Sequence, residues 1–182
     1  HIATGIVEKS GKSLFNSAIM IGPEGYIGHY QKQFLPNFGP FEEKMFFGEG
    51  YQTPVFETPF GKIGVQICYD LFFPETSMGL ARNGAELILN LAASPTTSRP
   101  LFHRVIPARA IETTCFYAYS NNIGTQGSLT FAGESVIVDP RGKTIAEIPS
   151  FEEGVIVCEL SLEELESFRE ARPVLRDSKK KE

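Results

Sequence analysis

The segment Gly61-Lys62-Ile63-Gly64-Val65-Gln66-Ile67-Cys68-Tyr69-Asp70-Leu71-Phe72-Phe73-Pro74-Glu75 constrains the fold of this 182-residue chain more than any other. An apolar strand, Lys62–Ile67, runs straight into a cysteine. The chain then turns, and Pro74 and Glu75 open a helix that Asn83-Gly84 stops. A proline fits the first helical turn because the amide hydrogen it lacks has no partner there. The sulfur of Cys68 is thus expected at the carboxyl edge of a sheet, where open α/β folds place their chemistry. A helix starting just beyond points its N-terminal amides and positive dipole end back at the turn. That arrangement favours thiolate over thiol and offers donors to a developing oxyanion. The segment predicts a cysteine nucleophile in an acyl-transfer enzyme. The plainer reading of Cys68 is a small buried hydrophobe.

The rest of the chain supports a layered fold around that turn. Ile2–Glu8, Leu14–Ile21 and Tyr26–Lys32 read as an antiparallel meander, with Lys9–Lys12 and Gly22–Gly25 as its turns. Residues 33–53 form a long loop rich in Pro, Gly and Phe, of the kind that is usually functional inside a compact domain. Val55–Thr58 pairs with Lys62–Ile67 around Pro59-Phe60-Gly61. Ala85–Leu91 is almost wholly apolar, as for a strand covered on both faces. Ala92–Pro100 is a polar loop, and Leu101–Thr113 a helix in which Pro107 marks a kink or the true start. Cys115–Ser120, Ser135–Val138, Thr144–Ile148 and Gly154–Glu159 read as strands, with turns at Gly124–Gly127 and Pro140–Gly142. Ser161-Leu162-Glu163-Glu164 resembles a capping box opening a helix to about Arg169. Residues 1–170 form one domain and 171–182 a charged tail. Strand pairs alternating with helices predict an α/β sandwich whose helices cover the sheets.

Composition excludes some functions. A formal net charge of -5 argues against a generic nucleic-acid surface. No apolar run approaches the roughly 20 residues that span a bilayer. Three widely spaced cysteines (Cys68, Cys115 and Cys158) without a CxxC pair fit a reducing, cytoplasmic setting. His1 and His29 have no ligand spacing with each other or with cysteine, so no metal is expected. The chain opens at His1, already inside a strand pattern, as a chain starting partway through a fold does.

Two further residues can carry chemistry. Lys32 ends the third strand beside an aromatic loop, where an ammonium can stabilise a thiolate or a tetrahedral oxyanion. Glu43, in Phe41-Glu42-Glu43-Lys44-Met45-Phe46-Phe47, sits among aromatic residues whose desolvation suits a carboxylate to acid–base work. Each also reads as an ordinary solvated charge. His103 is a rival base, making a Cys–His dyad of a protease-like or transferase-like enzyme.

Three blocks, in order, resemble the nitrilase superfamily of carbon–nitrogen hydrolases. The first is Tyr30-Gln31-Lys32-Gln33-Phe34-Leu35-Pro36-Asn37-Phe38-Gly39, running on to Phe41-Glu42-Glu43. The second is Gly64-Val65-Gln66-Ile67-Cys68-Tyr69-Asp70 with Phe73-Pro74-Glu75. The third is Ala108-Arg109-Ala110-Ile111-Glu112, followed by Asn121, Gly124, Gly133, Ser135, Asp139-Pro140 and Gly142. The resemblance implies a four-layer-type αββα sandwich that assembles as a homodimer or higher homo-oligomer. It implies cofactor-free hydrolysis of a small-molecule amide, carbamoyl group or nitrile through a covalent intermediate on Cys68. Lys32 then matches the lysine that steadies the tetrahedral intermediate, and Glu43 the loop glutamate that positions substrate or assists proton transfer. The backbone N–H of Tyr69 is the second oxyanion donor. Cys68-Tyr69-Asp70 favours the amidase or carbamoylase branches. Phe38, Phe41 and Phe72 are expected to wall the acyl pocket. Thr96, Thr97, Ser98 and Arg99 are expected to line it, with Arg99 available to a substrate carboxylate. The family's general-base glutamate falls ahead of these blocks, and neither Glu8 nor Glu24 matches its context. A non-catalytic, dimerising or binding member is the remaining alternative.

Overall fold

The computed structural model describes residues 1–178. Its first three strands are β1 (Ile2–Ser10), β2 (Ser13–Gly22) and β3 (Gly25–Gln31), which form an antiparallel sheet in that order. The long loop that follows carries one helical turn, α1 (Glu43–Phe46). Strands β4 (Val55–Thr58) and β5 (Gly61–Ile67) come next, then a 3-10 turn over Cys68–Phe72 and helix α2 (Pro74–Arg82). Strand β6 (Leu87–Ala92), a short 3-10 turn over Thr96–Ser98, helix α3 (Arg99–Thr113) and strand β7 (Phe116–Asn121) complete the parallel part. Strands β8 (Ile123–Gln126) and β9 (Leu129–Ala132) form a separate hairpin, and β10 (Val136–Val138) and β11 (Thr144–Glu147) return to the main sheet. Helices α4 (Leu162–Ala171) and α5 (Val174–Asp177) close the described chain.

The main sheet has six strands in the order β11-β10-β7-β6-β5-β4, parallel through β5, β6 and β7 and antiparallel at both sides. One face packs on the three-stranded sheet: Ala18, Met20 and Tyr30 meet Phe56, Val65 and Ile67. The other face is covered by α2 and α3, where Leu71, Leu80, Ile88, Phe102, Ile106 and Tyr117 pack together. This is the mixed α/β sandwich expected. Two facing sheets and one helix layer are present, and no helix covers the outer face of the three-stranded sheet among the described residues.

Four local expectations change. Gly124–Gly127 is not a simple turn but β8 and the start of its hairpin, closed by Gly127 at φ +58 and Ser128. Helix α3 begins at Arg99, with Pro100 in its first turn, and runs on through Pro107. Gly154–Glu159 has no regular secondary structure and joins no ladder, and Val155 and Val157 are 88% exposed, because alternation alone does not make a strand without a neighbouring backbone to bond. Part of the expected tail is docked instead: α5 packs on α3, and Leu175 contacts the helix-side core. Residues 179–182 lie outside the described residues. No helix is long and apolar enough to cross a membrane among the described residues.

Candidate active site

Cys68 stands where β5 gives way to the 3-10 turn, and its φ of +45 is unusual for a residue with a side chain. Two neighbours hold this strained elbow. Asn90, fully buried on the adjacent parallel strand β6, accepts the Cys68 N–H at 3.0 Å and donates to the Cys68 carbonyl at 3.3 Å. Its amide also donates to the Tyr117 hydroxyl at 3.1 Å. Arg109, on α3, donates from Nε to the Leu71 carbonyl at 2.7 Å and so ties the end of the turn to the helix layer. Sequence reasoning missed Asn90. The signal was one polar residue inside the apolar run Leu87-Ile88-Leu89-Asn90-Leu91, where an unpaired amide costs on the order of 1–3 kcal/mol and so requires partners.

Asp70 joins this elbow to the lysine strand. Its buried carboxylate accepts from the Tyr30 hydroxyl at 2.6 Å and the Ile67 N–H at 3.1 Å. The other oxygen accepts the backbone N–H groups of Gln33 at 3.2 Å and Phe34 at 2.9 Å. These are the residues directly after Lys32, so one carboxylate fixes the relative position of Cys68 and Lys32. Burial raises the Asp70 carboxyl to about 6, despite the lowering effect of Tyr30 and the backbone donors.

Lys32 is 1% exposed. Its ammonium donates to both oxygens of Glu43, at 2.7 and 2.8 Å. Glu43 is delivered by α1, whose first N–H bonds the Pro36 carbonyl at 3.1 Å. The loop is anchored at both sides of Lys32: the Lys32 N–H reaches the Asn16 carbonyl at 2.8 Å, and the Gly50 N–H reaches the Lys32 carbonyl at 2.9 Å.

Lys32, Glu43 and Cys68 line one cavity of about 820 Å³, together with Tyr69. That volume lies within the range of small-molecule sites. Its wall is an aromatic chain. Phe38 packs on Phe41 with ring centroids 5.9 Å apart and on Tyr69 at 5.4 Å. Tyr69 meets Phe72 at 5.7 Å, and Phe72 meets Phe102 at 5.0 Å.

The Cys68 thiol is pushed up to about 11, first by burial, against the lowering effects of Lys32 and the Ala93 N–H. The expectation of a thiolate favoured by a helix N-terminus therefore fails. The α-helix begins only at Pro74, after the 3-10 turn, and desolvation outweighs the lowering effect of the Lys32 ammonium, which is paired with Glu43.

The structure places three expected pocket residues elsewhere. Thr96 and Thr97 do not line the cavity, which takes the expected Ser98 from that loop together with Ser94 and Pro95. Arg99 turns away to Glu134, forming a fork to its carboxylate and bonding the Ser150 hydroxyl at 2.9 Å. His103 also bonds Glu134, at 2.7 Å, and does not line the cavity, so it forms no dyad with Cys68. Glu8 bonds Ser17 at 2.7 Å and Gln31 at 3.1 Å, and neither it nor Glu24 lines the cavity. Among the described residues, no cluster of three His, Cys, Asp or Glu side chains could hold a metal.

Comparison with known proteins agrees with this arrangement. The carbon–nitrogen hydrolase family profile matches residues 1–170. A nitrilase from Pyrococcus abyssi is 37% identical over 163 residues, covering 89% of this chain and 60% of that protein. A 2-oxoglutaramate amidase from Bacillus subtilis is 33% identical over 182 residues, covering 99% of this chain and 69% of its own length. The crystal structure of Nit3 from Saccharomyces cerevisiae, a nitrilase-superfamily member, superposes with a TM-score of 0.83 at 32% identity, over 98% of this chain and 64% of that one. The chain thus spans about 60% of the length of the Pyrococcus relative. By its sequence blocks, its sandwich and its profile match, this chain belongs to the carbon–nitrogen hydrolase family.

Proposed function

We propose that the whole protein hydrolyses a small-molecule amide through a thioester on Cys68. The observation that carries the reading is the nearly inaccessible Lys32 ammonium, locked by Glu43 and facing the same cavity as the Cys68 elbow. A buried cation costs too much to keep without a partner, and here it lines an otherwise mostly aromatic and aliphatic space.

The chemistry follows from these positions. The Cys68 sulfur attacks the amide carbon, a sulfur–carbon bond forms, and the carbonyl π pair moves onto oxygen. The Lys32 ammonium and the Tyr69 N–H receive that oxyanion. The thiol proton passes to a carboxylate and from there to the departing nitrogen as the carbon–nitrogen bond breaks. Glu43 is the cavity-lining carboxylate among the described residues and assists this transfer. The general-base glutamate that the resemblance calls for matches neither Glu8 nor Glu24. Water then adds to the thioester, the sulfur–carbon bond breaks, and acid and free thiol are released.

The test is ammonia release from small primary amides by the full polypeptide, with intact-mass detection of an acyl adduct. Turnover that disappears in Cys68→Ser and Lys32→Ala, with the adduct mapped to Cys68, is the expected result. Turnover that survives Cys68→Ala overturns the mechanism.

A further inference from the structure

We infer that the acyl pocket is built for a neutral, apolar acyl group, one carrying an aromatic ring or a bulky aliphatic chain, and selects against substrates bearing a second carboxylate. The inference rests on the amidase reading and narrows it to a substrate class.

The argument starts from charge. A carboxylate entering a protein cavity needs a cation or several donors to replace its water. Among the described residues that line this cavity, the cationic side chain is Lys32. Both its strong contacts go to the two oxygens of Glu43, so the pair is close to neutral. Arg99 sits between two lining residues, Ser98 and Leu101, and would be the natural partner for a substrate anion. It is withdrawn instead. Glu134 takes its guanidinium in a fork, and Ser150 holds both. The Glu134 carboxyl is well below the usual carboxylate range: burial would raise it, but Arg99, Ser150 and His103 together bring it down. A firmly ionised Glu134 keeps Arg99 occupied.

The other polar side chains along the wall are neutral: Asn16, which already donates to Glu43 at 3.4 Å, with Tyr69, Ser94, Ser98 and Asn122; most of what remains is apolar. Phe38, Phe41, Tyr69, Phe72 and Phe102 form the ring-to-ring chain described above, and Leu101 stands 52% exposed beside them on the first turns of α3. Aromatic rings offer area and quadrupole edges to another ring and nothing to a carboxylate. Sequence-level placement of Arg99 near the pocket gave the opposite expectation. The Glu134 clamp reverses it. The 2-oxoglutaramate named for the Bacillus subtilis relative is an anion, so selectivity is expected to differ from that protein's.

Two measurements test this separately from the chemistry. In the full polypeptide carrying Cys68→Ala, calorimetry should find phenylacetamide bound at least about tenfold more tightly than succinamate, the discrimination a fitted apolar pocket supports. Equal or tighter binding of succinamate overturns the inference, whether or not the wild-type protein turns over. In the wild-type protein, ammonia release should favour phenylacetamide by a similar factor. Introducing a cation at the exposed wall position, Leu101→Arg, should narrow or invert that ratio by raising use of succinamate. Release from neither amide, with phenylacetamide still binding selectively, would count against the amidase reading and leave the pocket's preference standing. A Leu101→Arg ratio unchanged from wild type would remove Leu101 and its wall from the account.

Discussion

The Glu134 cluster gives the sharpest quantitative test of how this structure is held together. Glu134 lies in the β9–β10 connection at φ +58, a left-handed conformation that costs an ordinary residue about 1 kcal/mol or more. It persists because its carboxylate, 13% exposed, gathers Arg99, Ser150 and His103. Against burial, which would raise it, these partners hold the carboxyl at about 2 rather than 4.5. That difference corresponds to about 3 kcal/mol. Arg99 is open to water, which screens the pair, so we expect about 1–2 kcal/mol. The sign is that of a depressed acid: stabilisation is full above the unfolded value of 4.5 and is lost as pH falls from there toward about 2. Glu134→Gln should therefore lower urea-unfolding stability by about 1–2 kcal/mol at pH 7, and the gap to wild type should shrink as pH drops through 4.5 toward 2. Removing the carboxylate in two ways separates contact from strain. Glu134→Gly should be more stable than Glu134→Ala by about 1 kcal/mol, because glycine accepts positive φ freely. A Glu134→Gln gap that is absent at pH 7, or constant from pH 7 to pH 3, refutes the electrostatic account. Equal stability of the Gly and Ala variants refutes the strain.

Other outcomes follow from the same geometry. Iodoacetamide should label Cys68 slowly at neutral pH, with a rate that climbs toward the thiol's value of about 11, and peptide mass spectrometry should show slower labelling still in Lys32→Ala; a plateau below pH 9 in wild type would contradict a desolvated thiol. Asp70 is a raised acid, so its contribution to stability is present below 3.8 and lost as pH rises to about 6, at most about 3 kcal/mol. Asp70→Asn should abolish that part of the fall between pH 4 and 6 in thermal or urea melts; an unchanged profile would mean that the Tyr30 and backbone donors fully offset burial. A Cβ at Gly50 would run into the Gln31 carbonyl, next to the bond that anchors Lys32. Gly50→Ala should therefore cost about 1–3 kcal/mol, read by urea unfolding, and no loss would show that the loop shifts freely.

The sequence by itself determined the elements that rest on local chemistry. The Cys68 turn was legible because an apolar run, a proline and an Asn-Gly stop lie within some twenty residues, and each acts on its own backbone. The N-cap at Ser161 was legible for the same reason, and its hydroxyl accepts the Glu164 N–H at 3.2 Å. Lys32, Glu43 and Cys68 were legible from the first two of the three blocks, and the structure gathers them around one cavity. Tertiary structure decided what depends on partners distant in sequence. Gly154–Glu159 alternates like a strand, yet no ladder takes it up, since pairing needs a second backbone. Arg99 reads as a pocket residue until Glu134, 35 residues away, claims it. Burial pushes the Cys68 thiol up, and the groups that pull it back, Lys32 and the Ala93 N–H, lie far from it in sequence. Local signals placed Cys68 at a turn, and only packing across the sandwich decided its surroundings and the character of the wall it faces.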